Sequence, residues 1–100
     1  MSTELEPRYR FLRAAAAVSL LSPLVERESI SIELRDHYAL MHPYVAVWCY
    51  SSQAVERVRQ HVLSIEPGAV WRQASDESLP GRWETQLAST TVYVSQIGGK

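Results

Sequence analysis

The chain has 100 residues, enough for one domain with a single modest core that needs neither disulfide nor metal to hold it. Ten basic and eleven acidic side chains leave a net charge of -1 and a pI near 6.3, which excludes a broad basic footprint for nucleic acid or anionic membrane but not a local patch. The hydrophobic share of 46% is that of a folded protein and excludes wholesale disorder. Lys100 is the only lysine against nine arginines, and residues 14–17 are all alanine. That usage suits a GC-rich bacterial or phage genome. Cys49 is the only cysteine, so no internal disulfide can form, and the chain fits a reducing, cytoplasmic setting.

In chain order, residues 5–21 read as a helix. Thr3 and Glu6 have capping-box spacing, and Pro7 suits a first turn. Leu5, Tyr9, Leu12 and Ala16 form one apolar stripe, with Phe11, Ala15 and Val18 beside it, and Ser22-Pro23 stops or kinks the helix. A signal peptide is a sharper reading, with Arg8–Arg13 as its positive region and 14–25 as its apolar region. The acidic residues that come first, the interruption at Pro23 and the lack of a small-x-small cleavage site count against it. The apolar run is also shorter than the about 20 residues a bilayer requires.

Residues 29–35 alternate Ile30, Ile32 and Leu34 with Ser31, Glu33 and Arg35, the pattern of an outer strand wet on one face. An eight-residue connection, 36–43, then leads to the stretch on which the rest is organised. Residues 44–65 read YVAVWCYSSQAVERVRQHVLSI. The strand 44–50 is apolar on both faces, with Val45, Val47 and Cys49 on one and Tyr44, Ala46, Trp48 and Tyr50 on the other, so it belongs inside a sheet. Ser51-Ser52 offers an N-cap hydroxyl at a tight corner. Val55, Val58, Val62 and Ile65 recur at helical spacing, which folds the following helix back onto its own sheet. Glu66-Pro67-Gly68 ends it, with Gly68 expected to take the turn.

Residues 69–76 read as a third strand, 82–87 as a fourth and 90–97 as a fifth, rich in β-branched residues. Trp83, Thr85 and Leu87 share one side of the fourth, and Trp71 and Trp83 are candidates for a cross-strand aromatic pair. The order α-β-β-α-β-β-β makes an α+β fold with one mostly antiparallel sheet of about five strands and the central helix on one face. The first helix either covers the other face or lies beside its neighbour. A strand running into a helix, a hairpin flanked by Trp71 and Trp83, and a final TTVYVS strand together resemble small uncharacterised proteins of actinobacteria and their bacteriophages. The resemblance spans roughly the second half of the chain and implies no activity.

Chemistry-bearing residues do not converge. Cys49 sits mid-strand among apolar neighbours, where a thiol is inert core packing rather than a nucleophile. His37 and His42 share a loop with Asp36, but their spacing matches no zinc pattern and they read as solvated histidines. His61 reads as a boundary residue beside the apolar stripe of its helix. Glu26, Glu28 and Glu33 mark a wet edge, and Asp76-Glu77 a turn. Neither a Gly-rich phosphate loop nor a nucleophile elbow is present. No enzyme activity, metal, cofactor, small-molecule substrate or membrane attachment is inferred.

Three tryptophans and five tyrosines are a generous aromatic supply for a small domain. Aromatics and arginine anchor protein interfaces. The expectation is a non-catalytic protein-binding module, acting on a partner or as a homodimer, with Trp48, Tyr50, Trp71, Trp83, Tyr93, Arg10 and Arg13 as candidate contacts. The alternative is a single-stranded nucleic-acid binder that stacks bases on Trp48 and Tyr50 and grips phosphate with Arg8, Arg10 and Arg13 or with Arg57 and Arg59. Glu4, Glu6 and Glu56 beside those arginines weigh against it.

Overall fold

A computed structural model describes residues 7–37, 42–73 and 82–97, with the backbone alone at 7–10, 36–37 and 42. The elements are α1 (Pro7–Leu21), α2 (Pro23–Arg27), β1 (Ile30–His37), β2 (His42–Cys49), α3 (Ser52–Ile65), β3 (Arg72–Gln73), β4 (Trp83–Leu87) and β5 (Thr90–Gln96). The order is the expected one with a short α2 added, where Pro23 restarts the chain after a single turn residue, Ser22.

One five-stranded sheet runs β1-β2-β5-β4-β3. It is mixed, where a mostly antiparallel sheet was expected: β2 and β5 run parallel, and the other neighbours antiparallel. A parallel neighbour requires a long crossover. Here α3 begins it, the chain continues to the far edge at β3, returns along β4 and inserts β5 beside β2.

Strand β2 is interior, and its faces divide as its alternation demands. Val45, Val47 and Cys49 are fully buried under the helices. Val92 and Val94 lie opposite Val45 and Val47, and Ile30 and Ile32 opposite Cys49 and Val47, so one apolar plane crosses three strands. Val55, Val58 and Val62 of α3 close over it as expected, together with Ala54 and the half-buried Ile65. Each fully buried valine contributes roughly 1.5 kcal/mol or more. Ser51 caps α3, its side chain accepting the Ala54 N–H at 3.1 Å.

Helix α1 lies beside α3 on this same face, and its orientation corrects the expected stripe. Ala14, Ala17 and Leu21 are buried, while Phe11, Leu12, Ala15 and Ala16 point outward. Alanines at the contact let the helix backbone sit close to β2, which a row of bulkier side chains would prevent. Leu5 and Tyr9 of the expected stripe lie outside the described side chains. His61 fastens the end of α1, its Nε2 standing 2.7 Å from the Leu20 carbonyl oxygen, one of the carbonyls a helix end leaves unpaired.

The β1–β2 ladder extends to His37 opposite His42, so the expected eight-residue loop shrinks to residues 38–41, which lie outside the described residues. Of the expected third strand only Arg72–Gln73 is seen, and 74–76 lie outside the description. The hairpin between β4 and β5 turns on Ala88 and Ser89, both with positive φ, 52° and 60°. Leu87 pairs with Thr90 across them, so this is the two-residue turn that glycine and asparagine favour. The carboxylate of Glu66, at the end of α3, accepts the Ala88 N–H at 2.8 Å and ties the turn to the helix layer. Gly68 lies outside the left-handed region, and a Cβ built on it meets nothing within 4 Å.

Two opposite substitutions follow. Ser89→Gly relieves a left-handed residue and raises stability by about 1 kcal/mol. Gly68→Ala removes unfolded-state freedom at no steric cost and raises it by about 0.5 kcal/mol. Urea unfolding of each variant checks the signs, and a loss of stability from either contradicts this backbone account.

Candidate interaction surfaces

The described candidate contact residues fall on two sides of the sheet. Trp48 and Tyr93 project from the face opposite the helices, because their cross-strand neighbours alternate with the buried valines. Tyr44 shares that face and meets Tyr93 edge to face, ring centroids 5.4 Å apart. Ala46 lies between larger neighbours and is buried by them. Among the described residues no helix covers this face. Tyr50 follows β2, 49% exposed, with its hydroxyl 3.2 Å from the Ser31 Oγ.

The arginines near this face are engaged. The Arg82 guanidinium stands 4.0 Å from the Tyr93 ring centroid. Arg72 bonds Glu84 at 2.8 Å, and Arg35 stands 3.6 Å from Glu33. The hydrogen bond it donates to Glu84 holds the Arg72 guanidinium above its ordinary pKa. Burial pushes the Tyr93 phenol up, and the Glu84 carboxylate adds to the effect. The face is therefore aromatic with matched charges rather than basic.

Trp71 and Trp83 sit on the helix side, half-buried against the core. Gln73 lies opposite Trp83, so Trp71 stands diagonal to Trp83 on the same side rather than directly across from it. What joins them is Arg59 of α3, a candidate phosphate contact in the nucleic-acid alternative. Its guanidinium carbon is 4.2 Å from the Trp83 centroid and 5.8 Å from that of Trp71. Arg59 Nη1 also reaches Glu56 at 3.4 Å. The buried Arg59 Nε and Trp71 Nε1 have no hydrogen-bond partner among the described residues, so the two rings and the Glu56 carboxylate together compensate the cation. This cluster locks α3 to the β3–β4 end of the sheet.

Arg13 is exposed on α1, and the Arg10 side chain lies outside the described ones. Since α1 is in the helix layer, Arg13 is separated from Trp48 by the thickness of the sheet. The aromatic face and Arg13 do not form one surface.

Much of the expected apolar stripe of α1 faces outward. Leu12 is 63% exposed, Phe11 42% and Leu20 36%. Leu12, Ala16 and Leu20 follow one another at i, i+4 and i+8, with Phe11 and Ala15 beside them, so the outward side of the helix carries a continuous apolar strip. The low amphipathicity of PRYRFLRAAAAVSLL was the available signal, since a helix apolar all round has no single inward side.

Polar chemistry stays scattered. A groove of about 240 Å³ at the α2–α3 junction is lined by Leu24, Arg27, Glu28, Arg57, Gln60 and His61. Among the described residues no three His, Cys, Asp or Glu side chains group as metal ligands, and no helix is long and apolar enough to cross a membrane. The sequence matches no protein-family model and no curated protein.

Burial pushes the Cys49 thiol from an ordinary 9.0 up to about 12. The fold thus favours the neutral thiol, a contribution complete below pH 9 and lost as pH rises towards 12. Two outcomes are expected: native protein at pH 8 leaves Cys49 unlabelled by a thiol reagent until denaturant is added, and stability falls between pH 9 and 12 more in the wild type than in Cys49→Ala. Immediate labelling of native protein contradicts the buried assignment.

Proposed function

We propose that this chain is a non-catalytic protein-binding module that works by contact with another protein or with its own copy. The observation that carries the reading is the outward apolar strip of α1, Phe11, Leu12, Ala15, Ala16 and Leu20, on a helix whose opposite side is already buried. A helix apolar on both sides is stable in water when something covers the second side. Arg13 at its flank supplies a polar rim, the arrangement common at helix-mediated contacts. An accessory role in the cytoplasm of a bacterium, or in its phage, is the setting that the resemblance in the second half of the chain implies.

A second reading keeps one supporting observation: Trp48, Tyr50 and Tyr93 lie on or beside the helix-free face, where unpaired bases could stack. It is weaker, because Arg35, Arg72 and Arg82 near that face each have a partner and Arg13 is on the other side.

A photo-reactive residue at position 12 tests the choice, with the exposed Gln53 on α3 as control position. The expected result is a discrete protein adduct from position 12 and none from position 53. No adduct from either, together with quenching of tryptophan emission by a single-stranded oligonucleotide that weakens with salt, overturns the contact reading in favour of the second.

A further inference from the structure

We infer that the outer edge of β1 pairs antiparallel with β1 of a second copy, about a two-fold axis at Leu34, joining the two sheets into one. This rests on the contact reading above and names one partner for it.

Strand β1 ends the sheet, and among the described residues no strand lies on its outer side. An uncovered edge strand of eight residues is a template for another strand, and natural sheets usually blunt such edges. The Tyr50 N–H donates to the Ser29 carbonyl at 3.0 Å. With Ile30 opposite Cys49, that bond sets the alternation of the ladder: odd residues of β1 bond to β2, and even ones turn their N–H and C=O outward. The Ile30 N–H is taken up by the Glu28 carbonyl at 2.9 Å. Ile32, Leu34 and Asp36 therefore present the free ladder.

Because even residues must meet even residues, only a few symmetric registers exist. An axis at Glu33 sets that carboxylate against its own copy, and an axis at Arg35 does the same with guanidinium. An axis at Ile32 sets Glu33 against Ser31 and leaves Arg35 opposite Ser29, outside the strand. An axis at Leu34 places each Glu33 opposite an Arg35 of the other copy, twice over. These become non-hydrogen-bonded pairs, in which side chains come closest, and opposite charges there are favourable while like charges are not. Both side chains are half-exposed, and among the described residues their contact is with each other, at 3.6 Å along the same strand. On the helix side the same axis brings Leu34, 42% exposed, against its own copy and hides a large apolar side chain from water. Register, charge and exposure select the same axis.

Charge exchange tests it. Sedimentation equilibrium of the wild type should show a concentration-dependent monomer–dimer equilibrium. Glu33→Arg alone, or Arg35→Glu alone, places like charges in both pairs and weakens the dimer about tenfold or more. An equimolar mixture of the two single variants regains wild-type affinity as a heterodimer, and so does the double variant. A wild type that stays monomeric, or dimers indifferent to these exchanges, overturns the edge pairing. If Leu12→Glu breaks the dimer while the exchanges do not, the edge pairing is overturned and the α1 contact stands. A monomer that also yields no adduct from position 12 ends both.

Discussion

The structure depends on the parallel pairing of β2 with β5. Val45 and Val47 lie opposite Val92 and Val94, all four fully buried, and both long helices pack on the plane they make. Parallel neighbours cannot be joined by a tight turn, so this pairing dictates the excursion through α3, β3 and β4. It also decides where everything else can go. With α1 and α3 on the valine side, the alternation of β2 and β5 sends Tyr44, Trp48 and Tyr93 to the other. The separation of the candidate contact residues into two groups is a direct consequence.

How well the sequence could be read depended on whether a segment carried a pattern of one meaning. The strand 44–49 and the helix after it were legible because two-sided apolarity and the valine spacing at 55, 58 and 62 each admit one arrangement. Ser51 was legible as a cap because a hydroxyl before an apolar periodic run has few other uses. Helix α1 was not. Its apolar residues form two stripes, and sequence weight favoured the larger side chains of Leu12 and Phe11. Close packing against β2 selected Ala14 and Ala17 instead, a choice made by the distance between backbones and not by hydrophobicity. The parallel partnership of β5 was equally hidden, because a β-branched strand such as TTVYV pairs in either direction. Gly68 takes the turn after α3 as expected, while the left-handed backbone falls on Ala88 and Ser89, where no glycine marks it. Part of the cost is offset by the Glu66 bond to the Ala88 N–H.

The candidate contacts were legible as residue types and not as a surface. Trp71 and Trp83 attract attention as paired aromatics, yet their half-buried rings enclose Arg59 and serve the fold. Trp48 and Tyr93 stand on a face whose charges are matched at short range. The strip on α1 and the edge of β1, by contrast, satisfy local rules only when something lies against them. Among the described residues, one is an apolar side without a core and the other a ladder without a partner strand. Both belong to the first 37 residues.

Native-state hydrogen exchange is the most direct measurement of the central claim. Amides of β2 and β5 should be the slowest in the protein, opening only with global unfolding, while those of β3 at Arg72 and Gln73 exchange through local fraying. If β2 exchanges as fast as β3, or if β5 opens independently of β2, the parallel pair does not hold the fold together and the account fails.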